Sequence, residues 1–225
     1  LSSRVNYLAA QGLFKDAFRL GVSTIIQAST SALYGVPNEL PLTEKSPTKP
    51  IGNYGLDKQK AEESLLSFHE HPVCALRLFN VFGVGQKRDS PYSGVLTIFS
   101  DNINKNLPLQ IFGDGHQSRD FIHVNDVCSA ILSSLYAPIS DFSVINVGSG
   151  IGISILELAK QISELIELTG LPLPGVIFSP ERLGDVRHST ADLSGLEKFL
   201  DTDELTSLEL GLQDLIKRTL DEYNV

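Results

Sequence analysis

The stretch Val22-Ser23-Thr24-Ile25-Ile26-Gln27-Ala28-Ser29-Thr30-Ser31 decides the fold. Residues 22–28 are largely apolar and β-branched, with no clean polar alternation, and the run stops in a Ser-Thr-Ser cluster. That pattern predicts a strand buried on both faces, as in a parallel sheet. Downstream, Val73-Cys74-Ala75-Leu76-Arg77-Leu78-Phe79 reads the same way. Between them, Pro37, Pro41, Pro47 and Pro50 mark a loop, because proline donates to neither helix nor sheet ladders. A helical pattern then runs over 54–69. A helix between two such strands is a β-α-β crossover, which implies a parallel sheet.

Working outward, residues 1–20 predict a helix, with Val5, Leu8, Ala9, Leu13, Ala17 and Leu20 near helical spacing and Gly21 as its stop. Further helices are predicted over 95–104, 125–136 and 154–168, the last with Ser154 and Glu157 as a capping box. Strands are predicted over 142–147 and 176–178. The pattern loosens at Gly83 to Gly85, which divides the chain into 1–82 and 83–225, with 120–136 packing back on the first part.

Composition narrows the function. The chain has 225 residues, 42% hydrophobic and 20% charged, as in an ordinary globular protein. A net charge of −9 argues against nucleic acid, which needs a basic stripe. No apolar run approaches the roughly 18 residues of a membrane span, and residues 1–10 lack the pattern of a signal peptide. The expected compartment is the cytoplasm. Cys74 and Cys128 both sit in apolar sequence and are expected to be buried free thiols. No Cys/His cluster has metal-ligand spacing, so no metal is expected. The chain has no Met and opens on Leu1 in what reads as mid-helix, which points to a fragment or to missing residues.

Chemistry concentrates around Thr30, Tyr54 and Lys58. Tyr54 and Lys58 are four apart at a helix start, so they share a face one turn apart. An ammonium beside a phenol favours the phenolate and makes it a usable base near neutral pH. Thr30 ends a strand of an open parallel sheet, the edge at which such sheets place ligands.

Taken together, Ser29-Thr30-Ser31-Ala32-Leu33-Tyr34-Gly35, the Pro-rich loop with Glu44 and Tyr54-Gly55-Leu56-Asp57-Lys58 resemble the extended short-chain dehydrogenase/reductases. Leu76-Arg77-Leu78-Phe79-Asn80-Val81-Phe82-Gly83 is similar to that family's next strand and its exit. Ile111-Phe112-Gly113-Asp114-Gly115-His116-Gln117-Ser118-Arg119-Asp120-Phe121 resembles its nucleotide-diphosphate loop, and Arg182-Leu183-Gly184-Asp185-Val186-Arg187 a late segment that also reaches the nucleotide. The resembled branch is the NAD-dependent epimerases and dehydratases, and within it the UDP-sugar 4-epimerases.

The resemblance implies an α/β fold: a Rossmann-like doubly wound parallel sheet, its N-terminal part missing, with a smaller α/β substrate domain. It makes Thr30, Tyr54 and Lys58 the catalytic trio. It assigns Ala28, Ser29, Tyr54, Lys58 and Phe79 to the cofactor NAD. It assigns Ser31, Asn80, Val95, Gln110, Phe112, Arg119, Arg182, Asp185 and Ser189 to the nucleotide sugar. In that scheme Arg119 and Arg182 grip the diphosphate, Asp185 the ribose, and Phe112 packs on the base. Arginine's planar fork and a carboxylate suit those partners chemically. Tyr54 takes the proton of the 4-hydroxyl, hydride leaves C4 for the nicotinamide, and it returns to the opposite face of a 4-keto sugar. Dehydratases, decarboxylases and reductases of the family, and a non-catalytic sugar-nucleotide-binding protein, are the alternatives. Ser31 and Ala32 stand where the nearest dehydratases carry acidic residues, and neither can act as a general acid. Ser189, small where some epimerases carry an aromatic wall, implies room for an N-acetyl group. A homodimer through the helices around 1–20 and 54–69 is also implied.

Gly148-Ser149-Gly150-Ile151-Gly152 follows a strand and precedes a helix, but its spacing is G-x-G-x-G rather than G-x-G-x-x-G, so its role is expected to be structural. The resembled family's glycine-rich cofactor loop lies well before the catalytic strand, and only 28 residues precede Ser29. The expectation is that this chain alone does not bind NAD tightly.

Overall fold

A computed structural model describes residues 2–86, 94–136, 143–182 and 184–223. Leu1 and Leu183, both named in the sequence reading, and residue 142 of a predicted strand lie outside the described residues. A π-helical turn over Arg4–Leu8 leads into α1 (Ala9–Arg19). Strand β1 (Ile25–Thr30) is followed by the Pro-rich loop, α2 (Asn53–Leu66) and β2 (Val73–Leu78). Strand β1 begins three residues later than the apolar run, because residues 22–24 are a lead-in to the ladder, and it extends through Ser29 and Thr30.

Strands β1 and β2 pair in parallel, with Ser29 opposite Arg77 and Thr30 opposite Leu78. On its other side β2 pairs in parallel with β6 (Ser143–Val147). Alternate residues serve opposite faces. Val73 and Ala75 pack with Phe14 of α1 and Leu65 of α2, whereas Cys74 and Leu76 pack with Val127 and Ala130 of α4 (Val124–Tyr136). Helices therefore cover both faces, and the sheet is doubly wound.

A second core lies beyond β3 (Asn80–Phe82). There β5 (Ser118–His123) pairs in parallel with β3 and antiparallel with β7 (Gly152–Ser154), while β4 (Leu109–Phe112) pairs in parallel with β8 (Val176–Ser179). Three helices enclose this core: α3 (Val95–Asn104), α5 (Ile155–Glu167) and α6 (Leu208–Tyr223). Helix α5 buries Ile155, Leu158, Ala159, Ile162 and Ile166, the i, i+3, i+4, i+7 stripe of an amphipathic helix. The Ser154 hydroxyl caps it by accepting the Glu157 amide at 3.1 Å, half of the expected capping box.

One expectation changes. Cys74 is buried as expected, and burial pushes its thiol up to about 12. Cys128 is exposed instead, because it lies on the outer face of α4, one residue past the inward-facing Val127. The sequence run around it is apolar on both faces, which hides the helical phase. Among the described residues no helix is long and apolar enough to cross a membrane.

Candidate active site

Thr30 ends β1 and caps the short 3-10 turn Ser31–Leu33, its Oγ1 accepting the Ala32 amide at 3.2 Å. With that lone pair used, the hydroxyl proton is still free to be donated. Tyr54 and Lys58 stand one turn apart at the start of α2, both half-buried. Lys58 Nζ donates to the Ala28 carbonyl at 2.9 Å, fastening the helix to the strand two residues before Thr30. Burial holds the Lys58 ammonium below its ordinary value of 10.5. Gly55 permits this approach. A Cβ there would stand 2.8 Å from Pro50 Cβ and 3.0 Å from the Ala32 carbonyl oxygen.

The cofactor-side residues divide. Ala28 is exposed on the strand beside the Lys58 contact, on an edge open to a ligand. The Ser29 side chain does not share it. It faces the other side of the strand, 3% exposed, and donates to Glu62 at 2.8 Å. Any contact of Ser29 with a ligand at the Thr30 side therefore falls to its backbone. The Phe79 ring is 4% exposed and packs with Tyr34, Leu42 and Ala191, so it shapes the edge from within.

The register that sets Leu78 opposite Thr30 carries the chain, two residues on, to Asn80 in the wall of a cleft of about 180 Å³. Asn80, Val95, Gln110, Phe112, Arg119, Arg182 and Asp185 all line it. They arrive from β3, α3, β4, β5 and the late segment, distant in sequence. Helix α3 opens on the cleft with Gly94 and Val95, so the amides of its first turn add positive character to a cleft that two arginines also line. The Arg182 guanidinium lies 3.8 Å over the Phe112 ring, a cation–π stack across the place expected for the base. Arg119 pairs with Asp185 and donates to the Ser118 carbonyl at 2.7 Å. A second pair runs the other way, with both Arg187 amino groups on the Asp114 carboxylate at 2.8 and 2.7 Å. The 111–119 loop and the late segment thus each give one arginine and one aspartate to the other. Arg187 holds the Asp114 carboxyl well below the usual range.

Ser31 and Ser189 are not among the cleft-lining residues. Ser31 is half-buried in the 3-10 turn beside Thr30. Ser189 is 8% exposed, because it is enclosed between His188, bonded to Ser118 at 2.9 Å, and Thr190, whose carbonyl accepts the Leu42 amide at 2.8 Å.

The glycine-rich loop 148–152 is indeed structural. Its amides turn inward onto Asp120, which accepts Ser149 N at 2.7 Å, Ser149 Oγ at 2.8 Å, Gly150 N at 3.0 Å and Ala191 N at 2.9 Å. A Cβ on Gly148 would stand 2.8 Å from Asp120 Oδ2.

The sequence reading missed Gln117 and Ile98 in the cleft. Gln117 donates from Nε2 to the Phe112 carbonyl at 2.7 Å, and its buried Oε1 has no hydrogen-bond partner. Strand parity places Gln117 on the same side as Arg119, and helical spacing places Ile98 on the same side as Val95. Both could have been found from those neighbours.

The model of the family described as NAD dependent epimerase/dehydratase matches residues 3–148. A curated relative, the putative UDP-glucose 4-epimerase of Methanocaldococcus jannaschii, is 32% identical over 199 residues, covering 87% of this chain and 63% of its own length. A solved UDP-N-acetylglucosamine 4-epimerase from Methanobrevibacter ruminantium, in complex with UDP-N-acetylmuramic acid, superposes with a TM-score of 0.86 at 34% identity, over 96% of this chain and 69% of that one. A UDP-glucuronic acid 4-epimerase from Bacillus cereus, in complex with UDP-glucuronic acid and NAD, gives 0.86 at 25% identity, over 97% and 68%. The chain spans 52–65% of the length of the first curated relatives it matches.

Proposed function

The chain belongs to the NAD-dependent epimerase/dehydratase family, and from that premise we propose that it carries the catalytic residues and substrate cleft of an enzyme that inverts C4 of a nucleotide sugar, a UDP-hexose or its N-acetylated form. The observation that carries this reading is the gathering of seven residues from five segments into one cleft, whose Asn80 follows by two the residue paired with Thr30.

The division of labour follows from the side chains. Arg119, Arg182 and the first turn of α3 offer positive charge and donors to a diphosphate. Asp185 accepts from a ribose diol, and Phe112 gives an apolar face to a base. Thr30 donates its proton to the sugar hydroxyl or to the 4-keto oxygen that replaces it. Tyr54 takes the hydroxyl proton at its Oη and later gives it back. Lys58, anchored on the Ala28 carbonyl, supplies the positive charge that favours the phenolate. NAD, when bound, supplies hydride acceptance and return. Ala28, Lys58 and Tyr54 would hold its nicotinamide end, with the backbones of Ser29 and Phe79 behind them. Neither Ser31 nor the exposed Ala32 is an acid, which supports inversion over elimination of water.

Residues 1–82 form the cofactor-side half in this reading and 83–225 the substrate half, except that 120–136 packs back on the first half through α4 and β6 extends its sheet. A homodimer working in the cytoplasm belongs to the same proposal. So does tolerance of an N-acetyl group, argued from the small Ser189.

The test is made on the full-length protein loaded with NAD. UDP-glucose and UDP-N-acetylglucosamine should each convert to the galacto epimer. Tyr54→Phe should lose turnover by about a hundredfold or more, from the usual worth of a general base, while UDP binding persists. Full turnover in that variant excludes Tyr54 as the base. Turnover of the plain sugar alone removes the acetyl inference and leaves the rest standing.

A further inference from the structure

Helix α2 carries a third residue on the face that bears Tyr54 and Lys58. Glu62 follows Lys58 by four, so all three line up toward β1. Its carboxylate is buried over the ladder rung that pairs Ser29 with Arg77. It accepts the Ser29 hydroxyl at 2.8 Å and Arg77 Nε at 3.2 and 3.3 Å, and it pairs with the Arg77 Nη2 as well. Both side chains are only 8% exposed. The other arm of the guanidinium, Nη1, donates to Tyr34 Oη at 3.0 Å and to the Glu44 carbonyl at 3.1 Å. Tyr34 donates to Asn146 Oδ1 at 2.6 Å, and the Asn146 amide donates to Glu44 Oε1 at 2.9 Å. One ion pair thus reaches the helix of Tyr54 and Lys58, the strand of Thr30, the loop that leaves Thr30, and β6.

A buried ion pair is a poor device for stability alone, since desolvation offsets most of its attraction and an apolar pair often does as well. What the ion pair adds is a directional donor–acceptor geometry, which can set one register where apolar contacts of similar volume tolerate small slides. We infer that Glu62 and Arg77 are positioning residues, which set the axial register of α2 on β1 and so hold Tyr54 and Lys58 at their working distance from Thr30. This rests on the epimerase reading of the site. Helix α2 touches β1 through polar groups at two levels, Lys58 on Ala28 and Glu62 on Ser29. Loss of the lower level leaves the upper one free to slide, and a misplacement of about 1 Å at a reacting group can cost about a hundredfold in rate.

The experiment compares wild type, Ser29→Ala, Glu62→Gln and the apolar double variant Glu62→Leu/Arg77→Met, as NAD-loaded full-length proteins. Three quantities are read: the thermal midpoint, kcat with KM for the nucleotide sugar, and the ultraviolet titration of the Tyr54 phenol against a Tyr54→Phe background. Glu62→Gln should lose kcat by about ten- to a hundredfold with KM within about twofold, because the cleft is built by other elements, and its phenol should ionise at higher pH than in wild type. Ser29→Ala should show the same split in milder form. The double variant should recover the thermal midpoint without recovering kcat or the phenol titration. If kcat returns together with the midpoint, or if Glu62→Gln keeps wild-type kcat, the pair is merely structural and the inference falls. If wild type turns over no nucleotide sugar, the functional reading has failed. The phenol titration then judges the register separately, and an unmoved titration in both Glu62 variants overturns it. If Glu62→Gln does not fold, Ser29→Ala and the double variant decide by the same criteria.

Discussion

In the proposed mechanism Lys58 has two roles, anchoring α2 on the Ala28 carbonyl and favouring the Tyr54 phenolate, and its burial makes them separable by pH. Its folded value lies below the ordinary 10.5. As pH rises through that depressed value, the phenol of Tyr54 loses its cationic neighbour, so kcat should fall along an alkaline limb that begins below pH 10.5. Stability moves the other way. Between the folded and unfolded values the unfolded chain binds more protons, so the contribution of Lys58 to folding rises with pH. A pH series of kcat against thermal midpoint checks both signs, and Lys58→Met should remove both trends. At Asp120, fully buried with four donors, Asp120→Asn turns one acceptor into a donor facing amides. Urea unfolding should show a loss of about 2–3 kcal/mol or more. The sequence made Arg119 visible and its neighbour invisible, because a motif names residues that meet ligands and says nothing of a carboxylate that folds a loop around itself. Ser29 was legible as part of a motif but not as a buried donor, since which face a hydroxyl takes depends on strand phase.

Elements differ in how plainly they announce themselves. Helices α3 and α5 were legible to within a residue or two because ten or more residues give a period of 3.6 room to repeat. Strands β3, β4 and β7 have three or four residues, too few for any period. Strand β5 carries Arg119, Asp120 and His123 along with its apolar residues, so its composition argues against the strand that the ladder makes of it. At the front of the chain, helix α2 is tied to the residues before α1 by Asp57, which accepts Ser2 Oγ at 2.6 Å and Ser3 Oγ at 2.7 Å. Those hydroxyls lower the Asp57 carboxyl below its ordinary 3.8. A depressed carboxylate stabilises the fold above its unfolded value and loses that contribution as pH falls through the folded one. The thermal midpoint of wild type should therefore drop more steeply below about pH 4 than that of Asp57→Asn, measured by circular dichroism.

At the scale of the whole molecule, the order of motifs along the chain was readable and their convergence was not. Pairing of β3 with β5 and of β4 with β8 joins segments some 40 to 70 residues apart, and no local pattern encodes that. The proposed homodimer is a prediction at this scale. Helix α1 buries Phe14 but leaves Leu13 66% exposed and its C-cap Leu20 78% exposed, while Leu56 and Leu66 of α2 stand 41% and 46% exposed. A surface of this kind is suited to a partner. Light scattering of the full-length protein should give twice the chain mass, and Leu13→Glu should halve it without lowering the thermal midpoint of the remaining monomer.

The crossed arginine–aspartate pairs between the 111–119 loop and the late segment differ in wetness, and this grades their response to salt. Arg187 and Asp114 are 44% and 52% exposed, whereas Arg119 and Asp185 are 15% and 30% exposed. Added ions reach the outer pair first, since screening by mobile charge falls off with enclosure. The late segment should therefore come away like an unbuttoned cuff, loosening at Arg187 while Asp185 still holds, so that moderate brine frees one end of the segment and leaves the Arg119 side of the cleft intact.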